Sequence, residues 1–112
     1  MPILNANYSN LNHEEMAVSI GLKPKHMPML IGSFLEESAG ILEALTSAIS
    51  SNDFKVIQSN AHSIKGSAGN LKFSEIYEMM KEMEFAATAS NVDFDYAGYL
   101  AAVKEAIGTI AS

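Results

Sequence analysis

The chain contains no cysteine, which excludes a disulfide scaffold and any thiolate metal site and suits a reducing compartment. Basic residues are scarce. Lysine and arginine together number 7 against 13 acidic residues, for a net charge of −6. A nucleic-acid binder needs a basic footprint to displace counterions, so that class of partner is excluded. Long hydrophobic runs are missing as well: the most apolar stretch, Met27 to Leu35, contains Pro28, Gly32 and Ser33 and then meets Glu36-Glu37. It is too short to span a bilayer. The first ten residues carry no basic residue and no sustained apolar run, so no signal peptide is predicted. No segment alternates with period two, and no strand is expected. A Walker-type phosphate loop and the kinase signatures are also absent, so the chain is expected neither to bind a nucleotide nor to phosphorylate itself.

What is present describes a helical domain. A chain of 112 residues is expected to form one domain over residues 1–112, long enough for a real core. Apolar residues make up 48% and charged residues 18%, a globular balance. Residues 1–11 read as an extended polar arm. Asn12 with Glu15 forms a capping-box pattern that opens a short helix to about Ile20, and Gly21 stops it. Pro24 suits the first turn of the next element, while Pro28 delays a clean helical ladder to about Met27. From there Leu30, Ile31, Phe34, Leu35, Ser38, Ile41, Leu42, Leu45 and Ile49 hold a helical stripe. Ser50 to Asp53 breaks it and caps a third helix. Ser74 is expected to cap a fourth, carrying Ile76, Met79, Met80, Met83 and Ala87. After a turn at Asn91 to Asp93, Tyr96, Leu100, Val103, Ile107 and Ile110 mark the last. The expected fold class is all-α: an antiparallel up-down four-helix bundle with a short extra N-terminal helix. No repeat or low-complexity stretch is present, and with no linker-like end the chain is expected to be free-standing; it is further expected to be a monomer in the cytoplasm.

The third helix, from near Asp53 to near Leu71, organises the rest. Phe54, Ile57, Ala61, Ile64, Ala68 and Leu71 recur at spacings of three and four and form its buried stripe. His62 lies roughly 130° from the centre of that stripe and so faces water. On the same face, one and two turns away, stand Lys55, Gln58, Lys65, Gly66 and Gly69. Each mid-helix glycine costs about 1 kcal/mol relative to alanine, and both open space beside one imidazole. Lys65, expected to be solvent-facing, can place an ammonium near negative charge at that imidazole. The pattern reads as a nucleophile that takes a phosphoryl group from a partner protein.

The run His62-Ser63-Ile64-Lys65-Gly66-Ser67-Ala68 with Asn70-Leu71 resembles the signature of histidine-containing phosphotransfer domains, the helical intermediates of bacterial phosphorelays. A second block, Ile76 through Met83-Glu84 to Ala86-Ala87, resembles the helix that follows in that family. Together the blocks cover about a third of the chain, and the bundle pattern extends the likeness over most of the rest. One departure stands out. The family commonly has glycine directly after the position of Leu71, and here Lys72 stands instead, strained if that turn needs a positive φ.

The resemblance implies a relay. A receiver domain carrying an aspartyl phosphate docks on the His62 face, and the neutral imidazole attacks phosphorus in line through its outer ring nitrogen. Imidazoles titrate near neutrality, so no dedicated base is required. The partners implied are response-regulator receiver domains and a hybrid histidine kinase. The receiver is expected to bring both the aspartate and the Mg²⁺, and this chain no cofactor or metal. His62 would be the carrier and Lys65 the cation for the phosphoryl oxygens, with Gln58 and Lys55 as further contacts and Gly66 and Gly69 clearing the docking face. The protein would be a phosphocarrier without autonomous kinase activity, handing its group to a second receiver. The rival reading is an adaptor bundle that binds a receiver-like partner without being phosphorylated. His13 and His26 lack the partners a metal site needs and are expected at the surface. Met79, Met80 and Met83 are read as core filler rather than a binding groove, and Glu14-Glu15 and Glu36-Glu37 as solvated helix faces.

Overall fold

A computed structural model of the protein describes residues 3–110. Five α-helices follow one another: α1 (His13–Ile20), α2 (Met27–Ser50), α3 (Phe54–Asn70), α4 (Ser74–Thr88) and α5 (Tyr96–Gly108). A single 3-10 turn, Pro24–His26, leads into α2. No strand occurs among the described residues. Helices α2 to α5 pack in a closed ring, α2 on α3, α3 on α4, α4 on α5 and α5 back on α2. The connections between successive members are short, so neighbours run antiparallel, and α1 packs beside the start of α2. This is the expected four-helix bundle with its short N-terminal helix.

Local chemistry sets the ends of the elements. The Asn12 side chain accepts hydrogen bonds from the Glu14 and Glu15 amides at 3.0 and 3.1 Å, and Asp53 accepts from Val56 at 3.3 Å. Asp95 does the same for α5, accepting from the Gly98 amide at 2.9 Å. Each occupies donors that a helix N-terminus leaves unpaired. Helix α4 departs from the expectation. Its cap position is held by Phe73, which offers no side-chain acceptor, and Ser74 is the first helical residue, its hydroxyl turned to the Lys72 carbonyl. Burial of the Phe73 ring at the base of the bundle fixes that position instead; Phe73 is 1% exposed.

Four helices share one C-terminal device. After α3, the Phe73 amide donates to the Ala68 carbonyl at 2.9 Å and the Lys72 amide to that of Gly69 at 3.2 Å. This is the Schellman pattern, and it demands a left-handed residue. That residue is Lys72, with φ +64°, and the same role falls to Gly21, Asn52 and Ser90 after α1, α2 and α4. The turn does need a positive φ, and lysine holds it where glycine would be unstrained.

The core runs the length of the ring. Met27, Ile31, Leu45, Ile57, Ile64, Ile76, Met79, Met80, Met83 and Val103 are among its fully buried side chains. Met79, Met80 and Met83 thus fill the interior, as their spacing indicated, while Met29 is exposed. Aromatic clusters close both ends. Phe34, Phe73 and Tyr8 stack at one, with centroids 5.3 and 4.7 Å apart; Phe54, Tyr96, Phe94 and Tyr99 gather at the other. Tyr8 corrects the reading of a polar N-terminal arm, whose first two residues lie outside the described ones. Its ring is buried, its hydroxyl donates to Glu75 at 2.7 Å, and its amide donates to Thr109 at 2.8 Å. Burial and then the Glu75 contact push its phenol above the ordinary tyrosine range. The arm is part of the packed structure because one aromatic outweighs its polar neighbours. His13 and His26 are half-buried, deeper than the surface position expected of them.

A left-handed non-glycine residue costs about 1–2 kcal/mol. Lys72→Gly is therefore expected to stabilise the fold by about 1 kcal/mol, raising the melting temperature by about 4–8 °C. An unchanged or lowered melting temperature would contradict that account of the turn.

Candidate functional site: the His62 face of the third and fourth helices

His62 projects from the middle of α3, eight residues past its first residue, Phe54. Its side chain is 66% exposed, as the periodicity predicted, because the buried stripe Ile57, Ala61, Ile64 and Ala68 holds the opposite face against the core. The ring is nevertheless not free. Its Nδ1 lies 2.8 Å from Glu84 Oε2 on α4. The other oxygen of that carboxylate, Oε1, lies 2.6 Å from Lys65 Nζ. One carboxylate thus bridges the imidazole and the ammonium.

Glu84 is only 19% exposed. Burial by itself pushes its carboxyl up, and the hydrogen bonds and charges of Lys65 and His62 outweigh that, holding it below the ordinary glutamate value. Glu84 is therefore ionised at neutral pH and can only accept hydrogen bonds. The bond to His62 must then be donated by Nδ1–H, which leaves Nε2 of the neutral ring as the nitrogen with an available lone pair.

Lys65 differs from expectation. It is not a solvated charge at the helix surface but is 22% exposed and ion-paired across the α3–α4 interface. Lys55 is exposed and Gln58 half-buried. They share the His62 face of α3 by their spacing, yet neither enters the bonds among His62, Glu84 and Lys65. The two glycines part company. A Cβ at Gly66 would meet nothing within 4 Å, whereas one at Gly69 would lie 3.2 Å from Cδ2 of Tyr77 on α4. Gly66 keeps open space near His62, while Gly69 sits under the Tyr77 ring and allows α4 to lie close.

Sequence reasoning missed Glu84 as a partner of His62, although a usable signal existed. In an antiparallel helix pair, positions equally far from the turn face each other. Gly69 faces Tyr77; two turns back along α3 and two turns on along α4, His62 faces Glu84. Lys81 and Phe85 on α4 were missed too. With Lys65, Glu84 and Thr88 they line a shallow cleft beside the histidine. No cluster of three or more His, Cys, Asp or Glu that could hold a metal occurs among the described residues. No helix among them is long and apolar enough to cross a membrane.

Comparison with known families bears on this arrangement. The family model of the Hpt domain matches residues 29–111. The chain belongs to the Hpt domain family. Members of that family serve histidine phosphotransfer in two-component signalling, as phosphocarriers working with receiver domains and histidine kinases. The match takes in α3 to α5 and α2 from its third residue on, and begins after the arm, α1 and the 3-10 turn. No curated protein and no solved structure matches the chain at a significant level.

The two glycines can be separated by experiment. Gly66→Leu is expected to melt no lower than the parent protein and up to about 1 kcal/mol more stable, because a mid-helix glycine is relieved where a Cβ meets nothing. Gly69→Leu is expected to lose about 1–3 kcal/mol through overpacking against Tyr77. Thermal melts that put both variants level, or reverse their order, would refute the distinction.

Proposed function

We propose that the protein is a phosphorelay intermediate in which His62 accepts a phosphoryl group from a receiver-domain aspartate and passes it to the aspartate of another receiver. The observation that carries this reading is the exposed His62 ring whose Nδ1 is held by Glu84 at 2.8 Å. That bond makes Nε2 the nucleophilic nitrogen and fixes the plane in which it attacks.

In the accepting step the Nε2 lone pair forms a bond to phosphorus as the bond from phosphorus to the aspartyl oxygen breaks. The electron pair leaves with the aspartate carboxylate. The ring becomes a phosphoimidazolium that still carries its Nδ1 proton, and the Glu84 carboxylate faces the positive charge that develops there. Catalysis of this kind rests on positioning and on electrostatic stabilisation. Lys65 serves twice, anchoring Glu84 in the resting state and supplying a cation within one helical turn of the transferred phosphoryl oxygens. Lys55 and Gln58 extend the same face toward the partner, and Gly66 keeps it clear. The Mg²⁺ expected with the reaction belongs to the receiver. In the reverse sense the N–P bond breaks and Nε2 recovers its lone pair, so the same residues serve donation.

His62→Gln is expected to keep the helical fold and to abolish acid-labile labelling by a phosphorylated receiver; normal labelling of that variant would refute the assignment. Lys65→Ala, which leaves Glu84 held by His62 alone, is expected to cost about 0.5–1 kcal/mol of stability. The same change should slow transfer about 10-fold or more, a loss above ~1.4 kcal/mol of transition-state stabilisation. Transfer at the parental rate would remove Lys65 from the mechanism. Glu84→Ala is expected to shift neutral His62 from the Nδ1–H toward the Nε2–H tautomer, read from ¹⁵N chemical shifts of the ring. An unaltered tautomer would show that Glu84 does not orient it.

A further inference from the structure

Phe85 stands one residue beyond Glu84 and is 72% exposed. Core pressure does not explain an aromatic ring left in water on the helix that carries the His62 partner. Its surroundings are specific: it lines one cleft with Lys65, Lys81, Glu84 and Thr88, and Glu84 in turn contacts His62. An apolar ring is thus placed beside the Lys81 side chain and the Lys65–Glu84 ion pair, at the margin of the reacting imidazole. In a chain of net charge −6, the α3–α4 hairpin is charge-balanced, with Lys55, Lys65, Lys72 and Lys81 set against Glu75, Glu78, Glu82 and Glu84.

We propose that Phe85 is the specificity-determining anchor for the receiver that exchanges phosphoryl groups with His62, its ring seating in an apolar patch beside that receiver's phosphoacceptor aspartate while Lys81 flanks the contact. The proposal rests on the phosphotransfer reading of His62 and adds the feature that selects the partner. Position argues for this occupant: a receiver aspartate that reaches Nε2 of His62 must come against the α3–α4 face on which this cleft lies. Lys81 places a cation there for it, whereas a second copy of this chain would bring its own net charge of −6. Interface energy concentrates in aromatic side chains that become desolvated near the centre of contact. A ring next to the transferred group is at that centre by construction. Flanking charges set encounter rate and partner choice more than final affinity.

The test measures transfer rates against concentration for a purified receiver domain, phosphorylated with acetyl phosphate, that labels the parent protein. Phe85→Ala is expected to fold normally and to raise KM about 10-fold or more, with kcat within about 2-fold, the signature of lost binding shared by ground and transition states. Direct labelling of His62 by phosphoramidate, which needs no docking, should be unchanged. Lys81→Ala is expected to raise KM less, by an amount that shrinks as salt is added. A parental KM for Phe85→Ala, with His62→Gln unlabelled, would overturn the proposal and leave phosphotransfer standing. Impaired phosphoramidate labelling of Phe85→Ala would overturn it by placing the ring's effect on His62 itself. A parental protein that sediments as a dimer, dissociated by Phe85→Ala without a change in KM, would assign the ring to self-association instead. Labelling of His62→Gln would overturn the phosphotransfer reading and this proposal with it.

Discussion

The register between α3 and α4 is the constraint on which the rest of this structure depends. It is set where the chain reverses at Leu71, Lys72 and Phe73. There a left-handed residue closes the end of α3 and the buried Phe73 ring pins the start of α4. Once that turn is fixed, every position on α3 acquires a defined neighbour on α4. Gly69 comes under Tyr77, Lys65 reaches Glu84 and Glu84 reaches His62. A shift by one residue would rotate Glu84 on α4, or His62 and Lys65 on α3, by about 100° and break both bonds of Glu84. The tolerance of a helix end for lysine in a left-handed conformation thus bears directly on the geometry of a site two and a half turns away.

Glu84 shows how a half-buried charge is made useful. Taken from water alone, a carboxylate is driven toward its neutral form. Here two donors from the neighbouring helix reverse that tendency. The consequence is chemical: an ionised Glu84 cannot donate, so it dictates which nitrogen of the imidazole bears hydrogen. Lys65 is a participant in the same logic, since it keeps Glu84 charged in the absence of any phosphoryl group.

Among the described residues before the Hpt match, Tyr8 is docked on the ring. Tyr8 joins the Phe34–Phe73 stack, and its hydrogen bonds tie it to the start of α4 and the end of α5. The aromatic cluster that closes this end of the bundle therefore draws on α2, on the α3–α4 turn and on the N-terminal arm together. Stiffness of the turn that sets the register is shared among three separated parts of the sequence.

By itself the sequence determined the all-helical class, the course of each helix and the exposure of His62, because these follow from local caps and from apolar residues spaced three and four apart. It also marked Lys72 as the residue that a positive φ would strain. The tertiary structure alone decided what each exposed group touches. Periodicity gives an angle about one helix axis and says nothing of the partner across the interface. For that reason Lys65 was read as solvated when it is paired, and Gly66 and Gly69 were read alike when only Gly69 has a neighbour. Glu84 went unassigned although its oxygens hold the site together, and Tyr8 was read as part of a polar arm. Each of these depends on the register of two helices or on one side chain reaching a distant ring. Such contacts are fixed by packing against residues far away in sequence, where no local pattern records them.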